Sequence, residues 1–311
     1  MHKAEQPGRQ AYESTQESIM ATQFSGVFPI LSLPFDEVAR VDTESLEREV
    51  EYLIEAGVDG IGLGLATEIP LLTEAERDTV LSTVVRQARG RVPIVMKSDA
   101  NGTDLALHYS RRAAELGADA LMVMPPPAAG MAAAHVKAYF HAIAKAVPLP
   151  IFIQDVPIGP VAPALAAQIA REYEHDWYLK AESPPTPPRV AEAVAAADGK
   201  LTVFGGAHGV YFPEELRRGS MGTMPGAVAP LAYTKTWQLW REGREAEAEA
   251  HFNQYAPLIR QFQQQTGIGT YLVKEILRLK GIFRHAVVRA PAVQPDSVAY
   301  AEVQRLVESL L

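Results

Sequence analysis

The chain holds nine lysines and no cysteine among its 311 residues. Thiol nucleophiles, thiolate metal sites and a disulfide framework are excluded, so covalent chemistry falls to Lys, Ser, Thr, Asp or Glu. Two lysines end runs that read as strands: Lys97, followed by Ser98 and Asp99, and Lys180, between Leu179 and Ala181 with Glu182 beyond. The others fall in helical patterns (Lys137, Lys145, Lys235, Lys274, Lys280), near the N-terminus (Lys3) or in a helix–strand turn (Lys200). A lysine ending a buried strand loses hydration of its ammonium form, so its pKa falls and a neutral amine becomes available. Such an amine attacks a ketone to form a Schiff base. The protonated imine is then an electron sink for carbon–carbon cleavage or formation, or for dehydration, beside a former 2-oxo group. The competing reading is a lysine that reaches out of the barrel mouth or pairs with Asp99 or Glu182.

Other groups of the right type lie close in sequence to these strand ends. Glu182, Asp155 and His208 are the acid–base candidates, in that order. Each has a plainer reading: Lys97 and Asp99 form a rim salt bridge, Asp155 caps the turn before Val156-Pro157, and His208 is a loop histidine beside Gly205-Gly206 and Gly209. Glu68 caps the helix beginning near Thr73, or holds the loop backbone. The eight histidines show no His-x-His or His-Glu-x-x-His spacing, so no metal site is expected. No dinucleotide fingerprint or Walker loop occurs, and no cofactor is expected. Gly205-Gly206 and Pro225-Gly226 offer an alternative phosphate site, in which Lys180 would be structural.

The elements that position these groups alternate short apolar runs with helical patterns, the signature of a parallel sheet built from strand–helix units. Candidate strands are Gly26–Ile30, Gly60–Gly64, Pro93–Ser98, Ala120–Val123, Pro150–Gln154, Trp177–Ala181, Leu201–Gly205 and Gly222–Pro225. Eight such runs imply an α/β fold, a closed (β/α)8 TIM barrel, whose reacting groups sit at the C-terminal strand ends. Helical patterns between them include Thr43–Ala56, Thr73–Ala88, Thr103–Leu116 and Ala133–Val147. Gly57, Gly117 and Gly219 recur at helix-to-strand joints, where glycine permits a left-handed cap. Helical patterns then continue as Thr234–Arg244, Glu245–Gln264, Tyr271–Lys280 and Ser297–Leu310. The expected organisation is a flexible arm over 1–22, a barrel over 23–233 and a C-terminal helical region over 234–311. In that last region Trp237 and Trp240 read as core or interface anchors.

Composition bounds the rest. The formal charge is −8 with 48% hydrophobic residues, and no basic block offsets the acidity. No electrostatic footprint for nucleic acid or anionic membrane is present. The arm lacks the apolar core of a secretion signal, and the uncharged stretch Gly219–Thr234 is too short and too interrupted to span a bilayer. A cytoplasmic location is expected.

Several of these runs carry a family likeness. Gly26-Val-Phe-Pro-Ile-Leu-Ser-Leu-Pro34-Phe35, Glu68-Ile-Pro-Leu-Leu72-Thr73, Val156-Pro157, Leu179-Lys180, Val273-Lys274 and Val288-Arg289-Ala290-Pro291 resemble the dihydrodipicolinate synthase / N-acetylneuraminate lyase family of class I aldolases. The resemblance implies the barrel, a homo-oligomer (dimer or tetramer) and Lys180 as the imine-forming lysine. It also locates departures. The family's Gly-Thr-Thr-Gly-Glu is here Gly64-Leu65-Ala66-Thr67-Glu68, its Tyr-Asn-Val-Pro is Gln154-Asp155-Val156-Pro157, and a Thr-Pro-Tyr-Tyr-like segment is Met124-Pro125-Pro126-Pro127. Glutamine cannot replace a phenol as acid or base, although its amide both donates and accepts hydrogen bonds.

The reading is therefore a lyase that joins Lys180 to a pyruvate-derived 2-oxo acid, with aldol cleavage, condensation or dehydration following. Lys97, Gln154, Glu68, Ala66, Thr67 and Gly206 are assigned to hold the substrate, and Glu182, Asp155 or His208 to move protons. Two alternatives stand beside it: a re-purposed paralogue that binds a small anion without turnover, and the phosphate-binding barrel enzyme.

Overall fold

The structure is a computed structural model that describes residues 23–127, 131–264 and 267–310. The expected arm over 1–22 lies outside the described residues. The eight strands are β1 Gly26–Val27, β2 Ile61–Leu63, β3 Ile94–Lys97, β4 Ala120–Val123, β5 Ile151–Asp155, β6 Trp177–Ala181, β7 Thr202–Gly205 and β8 Gly222–Thr223. All pairings are parallel, in the order β1-β8-β7-β6-β5-β4-β3-β2. A bridge from Ile30 to Gly62 brings the two ends of that order together. β1 and β8 are shorter than their apolar runs because Pro29 and Pro225 lack the N–H that a ladder needs. Their carbonyls still accept, Pro29 from Gly62 and Pro225 from Ile30, each at 2.8 Å.

Between and after the strands run α1 Thr43–Glu55, α2 Glu74–Ala88, α3 Thr103–Glu115, α4 Ala133–Ala146, α5 Pro163–Glu172, α6 Thr186–Ala196, α7 Phe212–Leu216, α8 Pro230–Arg241, α9 Glu245–Gln261, α10 Ile268–Leu279 and α11 Ser297–Leu310. The joints at Gly57, Gly117 and Gly219 adopt φ of 76°, 91° and 88°, the left-handed region that a side chain disfavours. α8 begins at Pro230 rather than Thr234, because proline suits a first helical turn, so the 233/234 boundary falls inside a helix. No helix among the described residues is long and apolar enough to cross a membrane.

Strand side chains alternate between the barrel interior and the helix layer. Phe28, Ile30, Val95, Ala120, Met122, Phe152, Tyr178, Phe204 and Met224 form the interior plug. Phe152 and Tyr178 stack there with ring centroids 4.6 Å apart. Outward residues such as Ile94, Met96, Ile151, Ile153, Leu179 and Val203 pack under the helices. A second apolar cluster, which includes Phe252, Leu258, Ile259, Phe262, Leu272 and Ile276, joins the C-terminal helices to the barrel, with Trp237 and Trp240 half-buried against it.

Candidate active site

Two residues beyond an interior plug residue, a side chain again points inward but stands one layer nearer the C-terminal mouth. Val95, Phe152 and Tyr178 thus place Lys97, Gln154 and Lys180 on one level. Gln154 and Lys180 are register partners on β5 and β6. Above them opens a cavity of about 700 Å³, lined among others by Ser32, Leu65, Ala66, Gln154, Lys180 and Glu182.

The polar groups form a chain across three strands. Lys180 Nζ lies 3.1 Å from Glu182 Oε2, and both side chains are largely buried. Gln154 Nε2 donates to the same Oε2 at 2.8 Å. The amide oxygen of Gln154 accepts from Lys97 Nζ at 3.4 Å, and Lys97 donates to Asp99 Oδ1 at 2.5 Å. Asp99 Oδ1 in turn accepts from the Met124 N–H. Lys97 therefore dictates which end of Gln154 faces Glu182. The other carboxylate oxygen of Glu182 accepts from the Ala207 N–H at 3.1 Å. That N–H is aimed by an unusual turn: Ala207 and His208 both have positive φ, and the Tyr233 hydroxyl donates to the His208 carbonyl. Burial pushes the Glu182 carboxyl up, but the Lys180 charge, Gln154 and Ala207 outweigh it and hold the group below the ordinary range. Burial lowers both the Lys97 ammonium and the His208 imidazole.

Lys180, Glu182, Gln154, His208 and Ala66 thus meet at one cavity. The remaining assignments are corrected by side-chain direction. Asp155 follows the inward Gln154, so it faces the helix layer. It is fully buried and paired with Arg189, and also accepts from Ser183 Oγ and the Val161 N–H. It anchors the loop after β5 and does not line the cavity. Lys97 lies behind Gln154, to which it donates, and does not line the cavity. Glu68 turns away from the mouth and pairs with Lys274 of α10, while Thr73 caps α2 itself. The Thr67 hydroxyl is consumed in its own loop, accepting from the Gly64 N–H at 2.9 Å and donating to the Leu31 carbonyl at 2.7 Å. Gly206 serves by having no side chain, since a Cβ there would lie 2.2 Å from Glu182 Cγ.

The phosphate alternative loses one of its named donors and has a carboxylate beside it. The Gly205 N–H is taken by Ser220 Oγ and the Ala207 N–H by the Glu182 carboxylate, whose charge disfavours an anion at the same place. No group of three or more metal-ligating side chains gathers among the described residues. Sequence reasoning missed Ser32, Thr186, Tyr211 and the C-terminal trio Phe262, Gln263 and Gln264, all of which line the cavity. Tyr211 follows strand seven and was open to the strand-end rule. Phe262 to Gln264 read only as the end of a packing helix.

A family model described as "Dihydrodipicolinate synthetase family" matches residues 23–310. L-2-keto-3-deoxyarabonate dehydratase from Azospirillum brasilense is 29% identical over 286 residues, 88% of this chain and 91% of its own length. Among solved structures, dihydrodipicolinate synthase from Rhodopseudomonas palustris superposes with a TM-score of 0.85 at 25% identity, covering 93% of this chain and 98% of that one. A prophage protein from E. coli K12 of the same family, solved in complex with pyruvate, gives 0.86 at 23% identity over 92% of this chain and 98% of its own.

Proposed function

Since the chain belongs to the dihydrodipicolinate synthetase family of lyases, we propose that Lys180 forms a Schiff base with a 2-oxo acid and that Glu182 then drives dehydration of a 2-oxo-3-deoxy sugar acid. The observation that carries this reading is the Lys180–Glu182 contact of 3.1 Å at the cavity floor, with Gln154 beside it where the family usually has a phenol. The dehydratase among the relatives supports a reaction at carbon–oxygen bonds. The pyruvate complex among the structural neighbours supports the 2-oxo acid end.

Glu182 is at once the neighbour that accepts a proton from Lys180 and the base for the next step. The freed amine attacks C2 of the substrate, Glu182 returns the proton to the C2 oxygen, and loss of that oxygen as water gives the iminium and restores the carboxylate. The iminium acidifies C3, and Glu182, held as carboxylate, removes a C3 proton to leave an enamine. The enamine expels the hydroxyl on C4 as water, leaving a conjugated iminium that hydrolyses from Lys180. Gln154 holds Glu182 in place, and Lys97 holds Gln154. Ser32 and the backbone of the Leu65-Ala66 turn meet the substrate carboxylate. The rest of the cavity is far larger than pyruvate needs. Its wall of His208, Tyr211, Gln263 and Gln264 suits the hydroxylated tail.

The test is sodium borohydride reduction in the presence of pyruvate and of several 2-oxo-3-deoxy sugar acids, followed by peptide mass analysis. An adduct on Lys180 and loss of water from a sugar acid are expected. Absence of any Lys180 adduct would overturn the Schiff-base reading, and release of pyruvate plus an aldehyde would replace dehydration with aldol cleavage.

A further inference from the structure

A second carboxyl lies behind the same floor. Glu215 of α7 is fully buried, and neither of its oxygens has a hydrogen-bond partner. A Cβ on Gly205 would lie 1.8 Å from Glu215 Oε2, as a Cβ on Gly206 would lie 2.2 Å from Glu182 Cγ. Two successive glycines at the end of β7 therefore give room to two acids, Glu182 toward the cavity and Glu215 toward the helix layer. Next to Glu215 stands Thr186, at the first turn of α6. Thr186 forms part of the cavity wall, yet its hydroxyl is closed to solvent and turned to Glu215 without a well-formed hydrogen bond. Buried polar groups without a well-formed hydrogen bond are rare and costly; here the hydroxyl is near enough to lower the Glu215 carboxyl, yet neither side chain is bonded in place.

The charge arrangement fits a proton store. Glu182 is held as carboxylate, which makes it a resting base and a poor acid. Glu215 is pushed up to about 8, chiefly by burial, with Glu214 and Glu182 raising it further and Thr186 and Arg218 lowering it. Paired acids whose surroundings separate their proton affinities take opposite roles. We infer that Glu215, acting through the Thr186 hydroxyl, supplies the proton taken by the hydroxyl that leaves the substrate. The inference rests on the elimination proposed at Lys180.

The step balances. Glu182 takes the C3 proton and the C4–O bond breaks with its electron pair on oxygen. Thr186, rotated about its Cα–Cβ bond into the cavity, gives that oxygen its proton and regains one from Glu215. Water departs, the conjugated iminium stays on Lys180, and the proton on Glu182 returns to Glu215 before the next turnover, so none is consumed overall.

Four enzymes test this on a 2-oxo-3-deoxy sugar acid: wild type, Glu215→Gln, Thr186→Val and Thr186→Ser. In the wild type, kcat is expected to fall as pH rises through about 8. Glu215→Gln is expected to lower kcat roughly 10²-fold with KM unchanged, the size of a lost proton donor, and to abolish that alkaline limb. Thr186→Val should match it, and Thr186→Ser should restore most of the rate. Borohydride trapping of pyruvate on Lys180 should be equal in all four. Wild-type kcat in Glu215→Gln, or in Thr186→Val, would overturn the inference, and if Glu215→Gln does not fold the Thr186 pair decides alone. Trapping without dehydration of any sugar acid sinks this inference and leaves the Schiff base standing, whereas failure to trap removes both.

Discussion

Two of the buried ammonium–carboxylate pairs, Lys180–Glu182 and Lys274–Glu68, share their chemistry and differ in how their partners are arranged. Lys180–Glu182 stands at the cavity floor, and its partners, Gln154 and the Ala207 N–H, all converge on the carboxylate. Among the described residues, the one carboxylate paired with this ammonium is thus a group that can take its proton. Lys274–Glu68 is enclosed between the loop after β2 and α10. There the ammonium is the group held from several sides: by Glu68, by the Val287 carbonyl at 2.9 Å, and by the Phe35 ring 4.4 Å away. Glu49 lies nearby, and burial raises its carboxyl well above the ordinary range while it accepts the Ser32 N–H. One pair holds its lysine from one side and the other from several. Burial alone therefore does not separate the two lysines; the distribution of partners between amine and acid does, and it is what the proposed role of Lys180 rests on.

The strongest way to break this comparison is to exchange the consequences. Lys180→Met is expected to abolish borohydride trapping and all measurable turnover, while shifting stability by no more than about 1 kcal/mol, because Glu182 keeps its other donors. Urea denaturation alongside trapping checks both halves. Glu182→Gln is expected to separate imine formation from proton transfer: pyruvate is still trapped on Lys180, but turnover of a sugar acid falls by roughly 10²–10⁴. A Glu182→Gln enzyme with wild-type turnover would remove Glu182 from the chemistry. Lys274→Met is expected to do the reverse, preserving trapping at Lys180 while costing about 3–5 kcal/mol of stability by leaving Glu68 charged and buried. Adding Glu68→Gln to Lys274→Met should recover much of that loss, and a denaturation midpoint that does not recover would show that Lys274 acts through packing instead.

The contrast also marks what the sequence could and could not reveal. The eight strands and the left-handed joints were legible because alternation and glycine placement are local. Lys180 with Glu182 was legible because both residues lie on one strand and its exit loop. Asp155 was misassigned although the information was present: Gln154 and Asp155 are consecutive on a strand, so they face opposite sides, and only one can reach the cavity. Glu68 and Lys97 failed for a different reason. Their roles depend on partners brought in by tertiary contact, Lys274 from the far end of the chain and Gln154 from the second strand along. The same holds for Gln263, Gln264 and Glu215, whose placement depends on how the helices dock, which no local periodicity encodes.

The finest test concerns Gln154, the residue that stands where the family's phenol is usual. In this arrangement it is no acid or base; it carries orientation from Lys97 to Glu182 and helps hold the carboxyl low. Glu182 works as a base only when ionised, so activity is lost as pH falls through its pKa, and that pKa lies below the ordinary carboxylate range. Gln154→Leu removes one hydrogen-bond donor to the carboxylate, which raises the pKa, so the acidic limb of the kcat profile should move toward neutral pH. At a pH well above the limb the rate should fall only modestly, on the order of tenfold, because Lys180 and Ala207 still hold Glu182. Gln154→Glu is the sharper companion. A second carboxylate beside Glu182 raises its pKa by like-charge repulsion and takes Lys97 as its own partner, so the limb should move further than in Gln154→Leu. An acidic limb that stays in place in both variants would mean that Gln154 orients the substrate itself, and that the low pKa of Glu182 is set by Lys180 and the Ala207 N–H alone.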